Sequence, residues 1–185
     1  MKKILSAILC SVLIFTLSGC DGSGVKNDND SNADIKDTVK DPEIKTKDVV
    51  LYFSDDQAMD LVGQKRNLEE HTAKAIILEL IKGPSLLEGE EELYETLPSN
   101  LELLDVQVEG GIANVDLSGD SVQDISGGAT GEGMALYSII NTLILDNSLG
   151  ITKVQFLVDG KKVDSIKGHY DVSVPMIEDK DMIKK

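Results

Sequence analysis

Asp116, Asp120 and Asp124 recur at every fourth position, a spacing that would line three carboxylates along one side of a helix and offer oxygen ligands to a hard cation. Ser118 and Gly119 between them read as a loop, so weak cation binding is left open and no metal site is assigned. Asp28, Asp30, Asn32 and Asp34 stand at alternate positions, as the ligands of a calcium loop do. Such a loop needs glycine at its sharp turn and a bidentate carboxylate at its twelfth position, where Ala33 and Val39 stand. A solvated acidic stretch is the better reading. Gly127, Gly128, Gly131 and Gly133 precede an apolar helical run, and Gly128 and Gly133 have the separation of a phosphate-binding loop. Met134 and Ala135 replace the lysine and hydroxyl that such a loop needs, so the stretch reads as a flexible helix entry. His71 and His169, the two histidines, lack a serine, aspartate or cysteine at a spacing known for nucleophilic catalysis. With 33 Asp and Glu residues a glycosidase-like pair could be drawn anywhere, so abundance says nothing about a pair held at catalytic separation. The expectation is a protein that is not an enzyme and uses no cofactor.

Cys20 is different, because its surroundings define a chemistry. Two lysines follow Met1, and residues 4–17 form an almost unbroken apolar run. That run is shorter than the roughly 20 residues needed to cross about 30 Å of hydrocarbon, which favours a secretory leader over a membrane span. It ends in Leu17, Ser18, Gly19 and Cys20, which resembles the bacterial lipobox. The resemblance implies a diacylglyceryl group on the Cys20 thiol and cleavage just before it. The competing reading is a buried or disulfide-bonded cysteine, but Cys10, the other one, would leave with the leader. Two acyl chains, at about 0.8 kcal/mol per buried methylene, suffice for stable attachment. Loss of Lys2 and Lys3 makes the formal net charge of −15 two units more negative. Such a chain repels nucleic acid and anionic head groups alike, so lipid must hold it at the extracytoplasmic face of the cell membrane.

The elements that would position these residues follow from periodicity. Residues 21–47 are rich in Asp, Asn, Lys and Ser without apolar period, and read as a flexible tether. Residues 49–53 form a β-branched and aromatic run that suits a strand covered on both faces, followed by a loop over 54–64. Ala73, Ile76, Ile77, Leu80 and Ile81 have helical spacing, ended by Gly83 and Pro84. Residues 85–100 are acidic and irregular, with Glu90, Glu91 and Glu92 in a row. Leu104, Val106 and Val108 alternate with polar residues, and Gly110-Gly111 turns the chain into Ala113, Val115 and Leu117, a hairpin. Leu136, Ile139, Ile140, Leu143 and Ile144 mark a second amphipathic helix. Val154, Phe156 and Val158 alternate again, Asp159-Gly160 signals another hairpin, and residues 172–174 offer a last extended piece. These elements predict an α+β fold, a two-layer sandwich with a mainly antiparallel sheet and two helices on one face. The expected organisation is a leader over 1–19, lipidated cysteine and acidic tether over 20–47, a domain over 48–176 and a charged tail over 177–185.

In this order the landmarks resemble the GerMN domain, the sporulation and spore germination family. The carried features are the opening strand at 49–53, Leu80 with Gly83-Pro84, Leu97-Pro98, the Gly110-Gly111 hairpin, Val115-Asp116-Leu117, Asn141-Thr142-Leu143 and Val158-Asp159-Gly160. The resemblance implies an extracytoplasmic domain, common on lipoproteins of Gram-positive bacteria, that binds other envelope components and brings no catalytic residues. The expected function is therefore non-enzymatic binding, anchored through Cys20, to an envelope protein or cell-wall partner in sporulation or spore germination. The alternatives are a general envelope or wall-associated lipoprotein, or a small solute-binding lipoprotein, for which a single domain leaves little room for two lobes.

Overall fold

Val49, Leu51 and Phe53 are buried in the first strand, β1 (Lys47–Ser54), while Val50 on the opposite side is 39% exposed. One face of this strand is therefore open, where a run covered on both sides was expected. The computed structural model describes residues 46–86 and 91–185. Cys20 and its surroundings, the Asp28 series and Glu90 lie outside the described residues. A loop over 54–64 does not hold to its end: β2 (Leu61–Leu68) pairs antiparallel with β1, Lys47 opposite Leu68 and Ser54 opposite Leu61. Its sequence lacks the β-branched run that marks a strand, and pairing with β1 overrides that weak propensity.

Helix α1 (Ala73–Ile81) begins where Thr72 Oγ1 accepts the Ala75 N–H at 3.2 Å, and buries Ala73, Ile76, Ile77, Leu80 and Ile81 as its spacing predicts. Arg66 of β2 reaches its far end, donating to the Gly83 carbonyl at 3.1 Å and lying 5.9 Å from the Phe53 ring centre. A cation there meets the negative end of the helix dipole.

The second sheet has the order β3-β4-β5-β6, formed by β3 (Leu103–Glu109), β4 (Ile112–Leu117), β5 (Lys153–Val158) and β6 (Lys161–Lys162). Gly110 and Gly111, with φ of +57° and +80°, make the two-residue turn between β3 and β4 that only a left-handed backbone permits. β4 and β5 run parallel, joined through α2 (Gly128–Leu145), and the short β5–β6 pair is antiparallel. With three of the four strand pairings antiparallel, the α+β expectation stands. One detail differs: a register shift between Leu103 and Asp105 packs Leu103 against the core and leaves Leu104 38% exposed.

Helix α2 is buried on nearly every side rather than amphipathic, because Leu136, Ile139, Ile140, Leu143 and Ile144 share one cluster with β1, α1, β4 and β5. Burial on nearly all sides leaves polar side chains of α2 inside, and here and in the strands beside it several of them grip irregular segments. Asn141, fully buried, donates to the Asp179 carbonyl at 2.9 Å and accepts the Asp179 N–H at 3.0 Å. Gln155 of β5 donates to the Val172 carbonyl at 2.8 Å, and Gln64 of β2 bonds both the N–H and the carbonyl of Ser85. Residues 177–185 thus lie against the domain: Ile183 bridges Leu61, and the Lys184 N–H reaches the Leu61 carbonyl at 3.0 Å. The Asn141→Leu change should cost about 1–3 kcal/mol, since it strips Asp179 of both partners. Denaturant unfolding measures the loss, and faster amide exchange over 176–184 locates it.

Candidate functional site

The approach to α2 gathers several of the residues that the sequence singles out. Gly127, at φ +91°, turns the chain into the helix, and no side chain caps it. The first helical bond runs from the Gly131 N–H to the Gly127 carbonyl at 3.1 Å, so the N–H groups before it have no acceptor within the helix. In front of this turn lies a cleft of about 390 Å³ between Ala58, Thr96, Pro98, Asp124, Thr130 and Met134. Thr96 Oγ1 is buried without a hydrogen-bond partner among the described residues. A polar ligand atom could meet the free N–H groups, but the Asp124 carboxylate in the same wall opposes a dianion such as phosphate.

The glycines here are packing positions as much as a helix entry. A methyl group on Gly131 would land on the Ser126 carbonyl oxygen, and one on Gly133 would strike the Tyr170 hydroxyl. Tyr170 in turn meets Tyr137 edge to face, ring centres 6.1 Å apart at 75°. The helix starts at Gly128, so the glycine stretch is largely helical rather than a loop ahead of it.

The three aspartates at fourfold spacing are not brought together. Asp116 accepts the Gly160 N–H at 2.9 Å, Asp124 accepts from the Asn100 amide, and Asp120 precedes a short helical turn over Ser121–Asp124. Among the described residues no group of three or more His, Cys, Asp or Glu converges on one point.

Both histidines meet carboxylates that sequence reasoning did not select. Glu132, completely buried in α2, accepts the backbone N–H groups of Lys167 at 2.8 Å and His169 at 2.9 Å. It also takes the His169 ring Nδ1 at 2.9 Å and the Ser165 hydroxyl at 3.3 Å. Burial pushes its pKa up, but these donors together outweigh burial and hold it below the usual value of 4.5. His71 binds Asp146 through Nε2 at 2.7 Å, between the start of α1 and the end of α2. Burial raises the Asp146 pKa, and the Ser148 hydroxyl, His71 and the Ser148 N–H more than reverse it. The signal for Glu132, as for Asn141, was a polar residue inside an otherwise apolar helix, which only the neighbours across the fold turn into a role.

With the geometry described, comparison with known proteins gives consistent results. The family model described as Germane, sporulation and spore germination, matches residues 50–164. A crystal structure from Clostridium perfringens, described provisionally as that of a lipoprotein, is 30% identical, covering 76% of this chain and 93% of that one at a TM-score of 0.50. The tandem GerMN domains of the sporulation protein GerM from Bacillus subtilis share 18% identity over 75% of this chain and 48% of theirs, with a TM-score of 0.56. The first of those domains alone is 18% identical over 74% of this chain and 99% of its own length, with a TM-score of 0.53. At that identity the Bacillus domains show likeness of fold. No curated protein matches the chain. Among the described residues no helix is long and apolar enough to cross a membrane. The match over most of the folded domain and the Clostridium relative agree with the motif series, and the chain belongs to the sporulation and spore germination family, the GerMN domain family.

Proposed function

We propose that this protein is a non-enzymatic binding module, lipid-anchored through Cys20 on the extracytoplasmic face of the membrane, which acts on an envelope protein or wall partner in sporulation or spore germination. The observation that carries the reading is a sporulation-family domain over residues 50–164 on a chain whose first residues end in a lipobox-like Leu17-Ser18-Gly19-Cys20. The Clostridium relative, itself described as a lipoprotein, supports the anchor. Support for binding over catalysis comes from how the reactive side chains are used: Glu132, His169, Asp146 and His71 all hold backbone or each other in place.

The anchor has a direct test. In cells, the Cys20→Ser protein should take up no lipid label, keep its leader and leave the lipid-labelled fraction, and a lipoprotein signal-peptidase inhibitor should leave the native protein larger by the mass of the leader. A protein whose fractionation and size ignore both treatments is not anchored this way. Cross-linking of the native protein in growing and sporulating cultures tests the rest. A defined sporulation or germination protein captured only in the latter agrees with the reading, and wall fragments recovered equally from both set the spore role aside.

A further inference from the structure

We propose that the outer edge of β3 is a docking strand that accepts an extended segment of a protein partner in which apolar and basic residues alternate. The inference rests on the reading of the chain as a binding module and names where that module makes contact.

A strand edge presents unpaired N–H and carbonyl groups, and proteins normally cover or charge it. Each of the other edges is dealt with in this structure. On β1, the Tyr52 N–H is taken by the Thr142 hydroxyl at 3.1 Å and Ser54 exchanges both backbone bonds with Tyr94. On β2, Ile183 and Lys184 close the Leu61 end, and the remainder carries Gly63, Lys65 and Asn67, residues that discourage pairing. β6 has two residues.

β3 has seven. The tight turn at Gly110-Gly111 makes Glu109 and Ile112 a hydrogen-bonded pair, so Gln107 and Asp105 also face β4. Val106 and Val108 therefore point their N–H and carbonyl groups away from the sheet, where, among the described residues, no strand pairs with them and the carboxylate of the adjacent Asp105 is the one group that meets the Val106 N–H. Val108 is 46% exposed on the face that Ala113 and Val115 bury beside it. An added strand would continue this sheet and cover Val108 with its own apolar side chains.

Charge selects what that strand carries between them. Asp105 and Glu109 lie on the opposite face of β3, with Gln107 between them, and the chain as a whole has a formal charge of −15. Among the described residues the cation paired with them is Lys74, 3.8 Å from Asp105 with both side chains about half exposed, a weak and displaceable pair. Residues opposite Val106 and Val108 are thus apolar, and those opposite Asp105 and Glu109 basic.

The test uses the purified full-length protein and a labelled peptide of alternating valine and lysine, read by fluorescence anisotropy. Two further peptides carry N-methyl groups on one or the other alternate set of residues, which removes the backbone donors on one edge at a time. Binding of the parent peptide, weakened about tenfold or more by one methylated set and by Val108→Lys, is the expected result. Val108→Lys should leave the unfolding midpoint unchanged, because that side chain is half exposed. Equal binding of all three peptides would mean charge attraction alone and overturns the proposal. So does a dimer of the free protein that Val108→Lys dissociates, since a second copy would then own the edge. In cells, a partner that cross-links to the Val108→Lys protein as well as to the native one overturns the edge and leaves the binding function standing. Absence of any partner in either culture overturns the function itself.

Discussion

Replacing Glu132 with alanine should lower the unfolding free energy by about 3–5 kcal/mol, the range for removing one member of a buried charged network. The carboxylate is fully buried and satisfies the N–H groups of Lys167 and His169, the His169 ring and the Ser165 hydroxyl. Without it, donors face an apolar helix and the segment over 165–169 has no reason to stay down. Glutamine is a poor substitute, because its amide nitrogen would point another donor at donors. The effect depends on pH in a fixed direction. Glu132 has a pKa held below the usual 4.5, so its contribution is complete above that value and fades as the pH falls through the depressed one. Urea titrations of the native and Glu132→Ala proteins should therefore differ most at neutral pH and converge in acid. A constant gap across that range would mean that the side chain acts by packing, not by charge.

The Gly131→Ala protein should lose about 3 kcal/mol, at the upper end of what an added methyl costs in a filled site. Its new methyl group would coincide with the Ser126 carbonyl oxygen, a backbone atom that cannot rotate away. Relief requires unwinding the first turn of α2, which is also the wall of the cleft beside Thr96 and Asp124. Gly128 supplies the comparison, since a methyl there meets nothing within 4 Å and only its φ of +59° is unfavourable. Gly128→Ala should cost about 1–2 kcal/mol by that backbone strain. Thermal unfolding of the pair ranks them, and equal losses would show that backbone conformation, not contact, decides at this turn.

Much of this architecture could be read before any coordinates, and the reasons are local. Ala73 to Ile81 carried both a period and a stop, and Gly110-Gly111 carried a turn type, so α1 and the β3–β4 hairpin stand where they were expected. β2 escapes a reading by pattern because Gln64, Lys65 and Arg66 look like surface residues, whereas Gln64 is buried and Arg66 lies over Phe53. Alternation places Leu104 inward because it cannot foresee a bulge. The clefts and grips were invisible for a related reason. Glu132 meets Lys167, Asn141 meets Asp179, and Asp124 faces Thr96 across distances in sequence that no periodicity spans. The glycine stretch stands out in the sequence for its chemistry, but it is close contact with Ser126 and Tyr170 that requires it.

The segment matched by the family model stops at residue 164, yet three buried polar groups upstream of that point find partners beyond it. Glu132 needs residues 165–169, Gln155 needs Val172 and Asn141 needs Asp179. A gene fragment cut at residue 164 would thus encode a polypeptide with an orphaned carboxylate at Glu132, an orphaned amide at Asn141 and a Gln155 amide left with only the Phe156 carbonyl, prone to aggregate on expression. The autonomous unit of folding is longer than the segment that the family model matches, and the Clostridium relative, aligned over 76% of the chain, shares more than that segment.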